Sequence, residues 1–240
     1  MSVVVIGGHT RNIGKTSMMC ALIREFSSSG WTAVKITQYG HGVCSHDGQA
    51  CGCAPSEHPF ALTEETNSRG RADTCRYLAA GARKSLWLRA RQGQLASALP
   101  LLFRKLHGAE RVIIESNSIM EFIEPLLYLA VLDGSKSDFK PSARRSLSRA
   151  HALISVGAGT PVDTAGENPE TGERAPHEAS QWHGLNVKRD AQELRAKPVF
   201  AIGGPDYWSP ALAEFVRQKL DGVSGVAFQG PSAIGTAFDW

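Results

Sequence analysis

The chain has 240 residues, 42% hydrophobic and 20% charged, with a net charge of +3. That is too apolar for a disordered polymer and long enough to bury one sizeable core. Lys and Arg (26) nearly balance Asp and Glu (23), so wholesale nucleic-acid binding is not expected, and five cysteines are too few for a disulfide scaffold of this length.

Short apolar runs of strand length alternate with longer stretches of helical period. This predicts an α/β fold, a mostly parallel sheet of about seven strands covered by helices on both faces. Strands are expected at 2–6 (SVVVI), 32–37, 84–88, 111–115 (RVIIE), 127–132, 152–156 and 198–202. Helices fit between them at 15–28, 73–81, 92–107, 141–149 and 209–220. Two stretches break the rhythm: 39–72, rich in Gly, Cys and His, and 157–190, polar and punctuated by Gly and Pro. Loops of that length inside a domain are commonly functional. The expectation is one domain over 1–240 carrying two excursions. No apolar run reaches the length of about 18 residues that a membrane span needs, because Glu121, Glu124 and Asp133 interrupt the most hydrophobic stretch. With no secretory pattern at the amino terminus, a cytoplasmic location is expected.

The first strand runs into Gly7-Gly8-His9-Thr10-Arg11-Asn12-Ile13-Gly14-Lys15-Thr16-Ser17 and then a helix. Strand, glycine-rich turn, Gly-Lys-Thr and helix together form a phosphate-binding loop. Backbone N–H groups from Gly8 through Ser17, with Asn12, Ile13 and Gly14, converge on phosphate at the positive end of the helix. Lys15 reaches the β- and γ-phosphates, and Thr16 joins a Mg²⁺ shell. His9 stands where the usual spacing puts a glycine, so the loop reads Gly, five residues, Gly-Lys-Thr. This lengthened loop resembles that of dethiobiotin synthetase and the cobyrinic acid diamide synthetases, within the group that includes the MinD/ParA ATPases. The resemblance implies a P-loop NTPase three-layer sandwich.

Glu115 closes the apolar run RVIIE, about a hundred residues on. A carboxylate at the carboxyl edge of the sheet is placed to hold Mg²⁺ and polarise a nucleophile. Lys35 lies inside the second strand, where its charge needs a partner, either phosphate or carboxylate. Asp73-Thr74-Cys75-Arg76-Tyr77-Leu78-Ala79-Ala80-Gly81-Ala82 begins with a residue expected to cap a helix and ends with a glycine expected to stop it. This segment, Ile-Ile-Glu-Ser-Asn at 113–117 and Lys35 are similar to the molybdopterin-guanine dinucleotide biosynthesis protein B family (MobB), over roughly residues 2–133. That resemblance implies a dimeric NTP-binding protein of cofactor biosynthesis, with Lys15, Lys35 and Glu115 catalytic and Arg76 facing a second anionic ligand.

Beyond Lys35 come Cys44, Cys51 and Cys53, with His41, His46 and His58 and four glycines between Gly40 and Gly52. Thiolates and imidazoles in a flexible loop suit a soft tetrahedral ion. Cys44, Cys51, Cys53 and one histidine, His58 among them, would make a zinc site. An iron–sulfur site that adds Cys75, and plain unligated thiols, remain open. Placement beside the phosphate-binding loop also allows a metal-responsive switch of the metallochaperone GTPase kind. For the base, ATP and GTP both remain open: Ser135-Lys136-Ser137-Asp138 is a degenerate form of the guanine-reading Asn-Lys-x-Asp, and Gly203-Gly204-Pro205-Asp206 is the other candidate contact.

Overall fold

The β-branched run Ser2–Gly8 forms β1 and is buried along nearly its whole length. The computed structural model describes residues 1–40, 58–156, 196–203 and 207–222. Within them follow α1 (Lys15–Glu25), β2 (Thr32–Tyr39), β3 (Phe60–Glu65), α2 (Asp73–Ala79), β4 (Lys84–Arg91) and α3 (Leu95–Leu106). The second half adds β5 (Arg111–Glu115), β6 (Leu127–Asp133), α4 (Pro141–Leu147), β7 (Ala152–Val156), β8 (Val199–Ile202) and α5 (Pro210–Asp221).

These strands make one eight-stranded sheet in the order β3-β4-β2-β5-β1-β6-β7-β8. All neighbours pair in parallel except β3 with β4. Alternate residues of β1, β2, β5, β6 and β7 feed two separate cores, which is why these strands read as continuous apolar runs. On one face Val4, Ile6, Ala33, Ile113 and Leu129 pack with Leu22 of α1, Tyr77 of α2 and Leu212 of α5. On the other, Val3, Val5, Val34 and Ile114 pack with Leu99 and Leu102 of α3 and Leu147 of α4.

The connections leaving β1 and β5, which are neighbours, run to opposite sides of the sheet. A crevice therefore opens at their carboxyl ends, the place where ligands bind in such sheets.

The sheet has eight strands rather than seven. The additional one, β3, lies inside the stretch 39–72 read as aperiodic. It is an edge strand with only Phe60 and Leu62 turned toward a core and Glu64 exposed, so its apolar signal is two residues long. The first helix ends at Glu25 rather than 28, because Ser27–Ser29 tighten into a 3₁₀ turn closed by Gly30 at φ 62°. The segment 157–190 lies outside the described residues.

Helix α2 stops as expected. Gly81 N–H bonds to Leu78 O at 3.0 Å and Ala82 N–H to Tyr77 O at 3.0 Å, a Schellman turn with Gly81 at φ 105°. A Cβ at Gly81 would meet nothing within 4 Å, so only the backbone angle resists substitution. Gly81→Ala should therefore lower stability by about 1 kcal/mol, read from the urea midpoint with an unchanged slope. A midpoint equal to wild type would show that the left-handed turn is not needed.

Candidate functional site

The loop between β1 and α1 is shaped by contact and by backbone angle. Asn12 (φ 52°) and Gly14 (φ 88°) take the left-handed conformation that Asn and Gly tolerate best. Gly8 is closely approached: a Cβ there would lie 2.7 Å from Ile13 Cδ1 and 2.9 Å from Lys15 Cδ, so those side chains would have to shift. Ile13 is buried and anchors the turn. The Asn117 amide reads both sides of Gly8, accepting from its N–H at 2.9 Å and donating to its carbonyl at 2.8 Å. Lys15 curls back over the loop and donates to Thr10 O at 2.7 Å. Burial lowers the pKa of Lys15 from the usual lysine value, against the pull of Glu115.

Strand register brings the charged side chains together. Lys35 of β2 lies directly opposite Glu115 of β5, and Ile6 of β1 lies on the other side of Glu115. The Lys35 ammonium is 3.6 Å from Glu115 Oε1 and also pairs closely with Asp73. Thr16, in the first turn of α1, donates its hydroxyl to Glu115 Oε2 at 2.8 Å. Tyr77 of α2, fully buried, donates its phenol to the same oxygen. Burial and then the Glu115 carboxylate raise the pKa of Tyr77 well above the tyrosine norm, so it stays a donor. Burial pulls the pKa of Lys35 down, but Glu115 and Asp73 outweigh it and the net shift is upward. Carboxylate and hydroxyl oxygens side by side form the hard donor set that Mg²⁺ prefers.

Asp73 does not cap α2. It is the first helical residue, after Ala72, and makes no cap hydrogen bond, because its carboxylate is drawn to Lys35. Arg76, one turn on, sits 3.7 Å from Asp73 and donates to Ser17 Oγ at 3.1 Å. It lines a shallow cavity of about 310 Å³ with Ser17, Cys20, Arg24, Ala79 and Ala80.

A second wall comes from the segment after β6. Lys136 donates to Asn12 O at 2.9 Å and to Arg11 O at 3.5 Å, and Thr10 gives its hydroxyl to Asp138. The backbone N–H of Lys140 bonds to His9 O at 2.8 Å. The His9 ring is buried 5.2 Å from Phe139, with no hydrogen-bond partner for either nitrogen among the described residues. Burial lowers its pKa below the histidine norm. The Ser-Lys-Ser-Asp look-alike thus braces the loop with its lysine and its aspartate. Across the site Tyr207 packs over Gly14, whose Cβ would fall 2.2 Å from the Tyr207 ring. Residues 204–206 lie outside the described residues.

Cys44, Cys51 and Cys53 also lie outside them. His58 is exposed, and its carbonyl accepts from Tyr39 Oη at 2.8 Å. Cys20 is buried in α1, its thiol pushed up to about 11 by burial. Cys75 is buried beside Glu65, and burial and that carboxylate hold its thiol above the usual cysteine value. No cluster of three metal-ligating side chains occurs among the described residues. Tyr77, Asn117 and Lys140 carry no role in the sequence pattern, and Asp138, a candidate base contact there, holds the Thr10 hydroxyl instead. Tyr77 stands four residues after Asp73, a spacing that places both on one face of α2.

No protein-family model matches the chain, and no curated protein matches it. Among solved structures it is similar to HypB from Helicobacter pylori in complex with nickel, with a TM-score of 0.41 and 16% identity over 94% of this chain and 91% of that one. It is similar to LpxK from Aquifex aeolicus in complex with ATP, with a TM-score of 0.39 and 12% identity over 96% of this chain and 75% of that one. The MinC:MinD complex of Aquifex aeolicus gives 0.35 and 12%, over 91% and 86%. Similarity this weak carries no residue correspondence. Among the described residues no helix is long and apolar enough to cross a membrane.

Lys35→Met should cost about 3 kcal/mol, because it strands the Asp73 and Glu115 carboxylates in a mostly buried place. Tyr77→Phe removes one hydrogen bond and should cost about 1–2 kcal/mol. Both act on Glu115, so urea titration of the double variant should show a loss smaller than the sum. Strict additivity would mean that the two side chains do not share that carboxylate.

Proposed function

We propose that this chain is a Mg²⁺-dependent nucleoside-triphosphate-binding protein that hydrolyses or transfers the terminal phosphate, MobB-like, in cofactor biosynthesis and as a homodimer. The observation that carries the reading is the meeting of the Thr16 hydroxyl and the Glu115 carboxylate, 2.8 Å apart, beside a glycine-rich loop whose lysine is Lys15. Backbone N–H groups of the loop beyond His9 and of the first helical turn, through Ser17, cradle phosphate, helped by the N-terminal end of α1. On binding, the Lys15 ammonium leaves Thr10 O for the β- and γ-phosphate oxygens. Thr16 and Glu115 would hold Mg²⁺, which when bound neutralises charge developing on the transferred phosphate. Lys35 and Tyr77 hold Glu115 by its two oxygens, so the carboxylate keeps one orientation while the nucleophile is aligned. Arg76 and Arg24, at the rim of the neighbouring cavity, suit the second anionic ligand.

Lys15→Ala should abolish nucleotide binding in titration calorimetry while leaving the circular dichroism spectrum and melting temperature near wild type. Unchanged affinity would overturn the reading. A ligase of the dethiobiotin synthetase type would release phosphate only when its second substrate is added.

One observation favours a second, metal-responsive reading. Tyr39 Oη bonds to His58 O, Gln92 N–H to Tyr39 O and Arg91 N–H to Pro59 O, so both ends of the cysteine-containing stretch are tied to the carboxyl ends of β2 and β4. That is the edge on which Lys35 and Glu115 stand. Native mass spectrometry of protein prepared without oxygen should then show one zinc per chain, lost in a Cys44→Ser, Cys51→Ser variant. A metal-free spectrum would exclude a site at Cys44, Cys51, Cys53 and His58.

A further inference from the structure

Among the described residues four lysines surround the phosphate-binding loop, and three of them have partners. Lys15 donates to Thr10 O, Lys35 pairs with Asp73 and Glu115, and Lys136 donates to Asn12 O and Arg11 O. Lys140 is half-buried, and its ammonium has no hydrogen-bond or ion-pair partner among the described residues. Its place is nonetheless fixed. The Lys140 N–H bonds to His9 O at 2.8 Å, the preceding Phe139 rests on the His9 ring, and Asp138 takes the Thr10 hydroxyl. Three consecutive residues therefore pin the start of this side chain against the loop.

The groups around it show what it faces. Burial, then the Lys15 and Arg11 charges from the loop, push the Lys140 ammonium down to about 8, and Asp138 and Glu115 oppose this only in part. Arg144 stacks over Phe139 at 5.4 Å, and His9, against the same ring, is buried with its pKa lowered. A cation partly withdrawn from water among like charges is unfavourable by itself. An anion shared with Lys15 and Arg11 would reverse the balance, and charge-assisted contact to phosphate is the strong form of such a bond. Lys15 and Glu115 mark the phosphate end of the site and not the base end.

We propose that Lys140 is a further phosphate ligand, contacting the terminal phosphoryl group of a bound nucleoside triphosphate from the β6 side of the loop. This rests on the nucleotide-binding reading above. It makes Lys140 a discriminator between triphosphate and diphosphate, and so a residue that registers the state of the nucleotide.

Calorimetry with ATP, GTP, ADP and GDP in the presence of Mg²⁺ tests it on wild type, Lys140→Ala and Lys140→Arg, with melting temperature as the check on folding. Lys140→Ala should weaken the triphosphate about tenfold and change the diphosphate less than twofold, and Lys140→Arg should restore most of the loss. The sign of the pH effect follows from the ammonium. It is charged and binds below about pH 8 and becomes neutral above, so the triphosphate-to-diphosphate affinity ratio of wild type should fall about fivefold from pH 7 to pH 9. The Lys140→Arg ratio should stay flat. Equal weakening of triphosphate and diphosphate, or no weakening, would overturn the assignment while leaving nucleotide binding intact. A wild type that takes up neither nucleotide would overturn the reading beneath it as well.

Discussion

The carboxyl edge of the sheet is organised around one buried carboxylate. Glu115 is 7% exposed and receives the Thr16 hydroxyl from α1, the Tyr77 phenol from α2 and the Lys35 ammonium from β2. A carboxylate so placed is tolerable only if its oxygens are satisfied, so each partner also holds its own element in position. β2 and β5 keep their register because a two-residue slip would part Lys35 from Glu115, and a one-residue slip would turn the lysine to the opposite core. The interaction that creates the site is thus the one that aligns the middle of the sheet.

From that centre the loop is braced on two sides by different chemistry. Toward β5, the Asn117 amide clamps Gly8 by both backbone groups. Toward β6, Lys136, Asp138 and Lys140 take up the Asn12 and Arg11 carbonyls, the Thr10 hydroxyl and the His9 carbonyl. The loop carbonyls of His9, Arg11 and Asn12 are thereby tied to donors.

Much of this was legible in the sequence because it is local or periodic. Strand, glycine turn, Gly-Lys-Thr and helix occur within a few residues, and a lysine in a buried strand needs a partner wherever it lies. The partners were not legible, since Lys35 meets Asp73 across 38 residues and Thr16 meets Glu115 across 99. Asp73 shows the cost of local reasoning: its position suits a helix cap, and a tertiary charge overrides that preference. Strand β3 was hidden for the opposite reason. An edge strand with one half-buried face needs few apolar residues, and its period is too short to stand out.

The lengthened spacing of the loop can now be given a physical cause. Neither Gly8 nor His9 has a positive φ, so backbone angle does not require glycine at either position. At 8 a side chain would have to displace those of Ile13 and Lys15, which crowd against Gly8. At 9 the chain has already turned toward β6, with the His9 N–H on Val131 O and its carbonyl on Lys140 N–H. The buried side chain packs its ring against Phe139. A histidine is tolerated at a position usually glycine because the residue has become part of the wall that carries Lys140, and substitution at His9 and at Lys140 should be coupled for that reason.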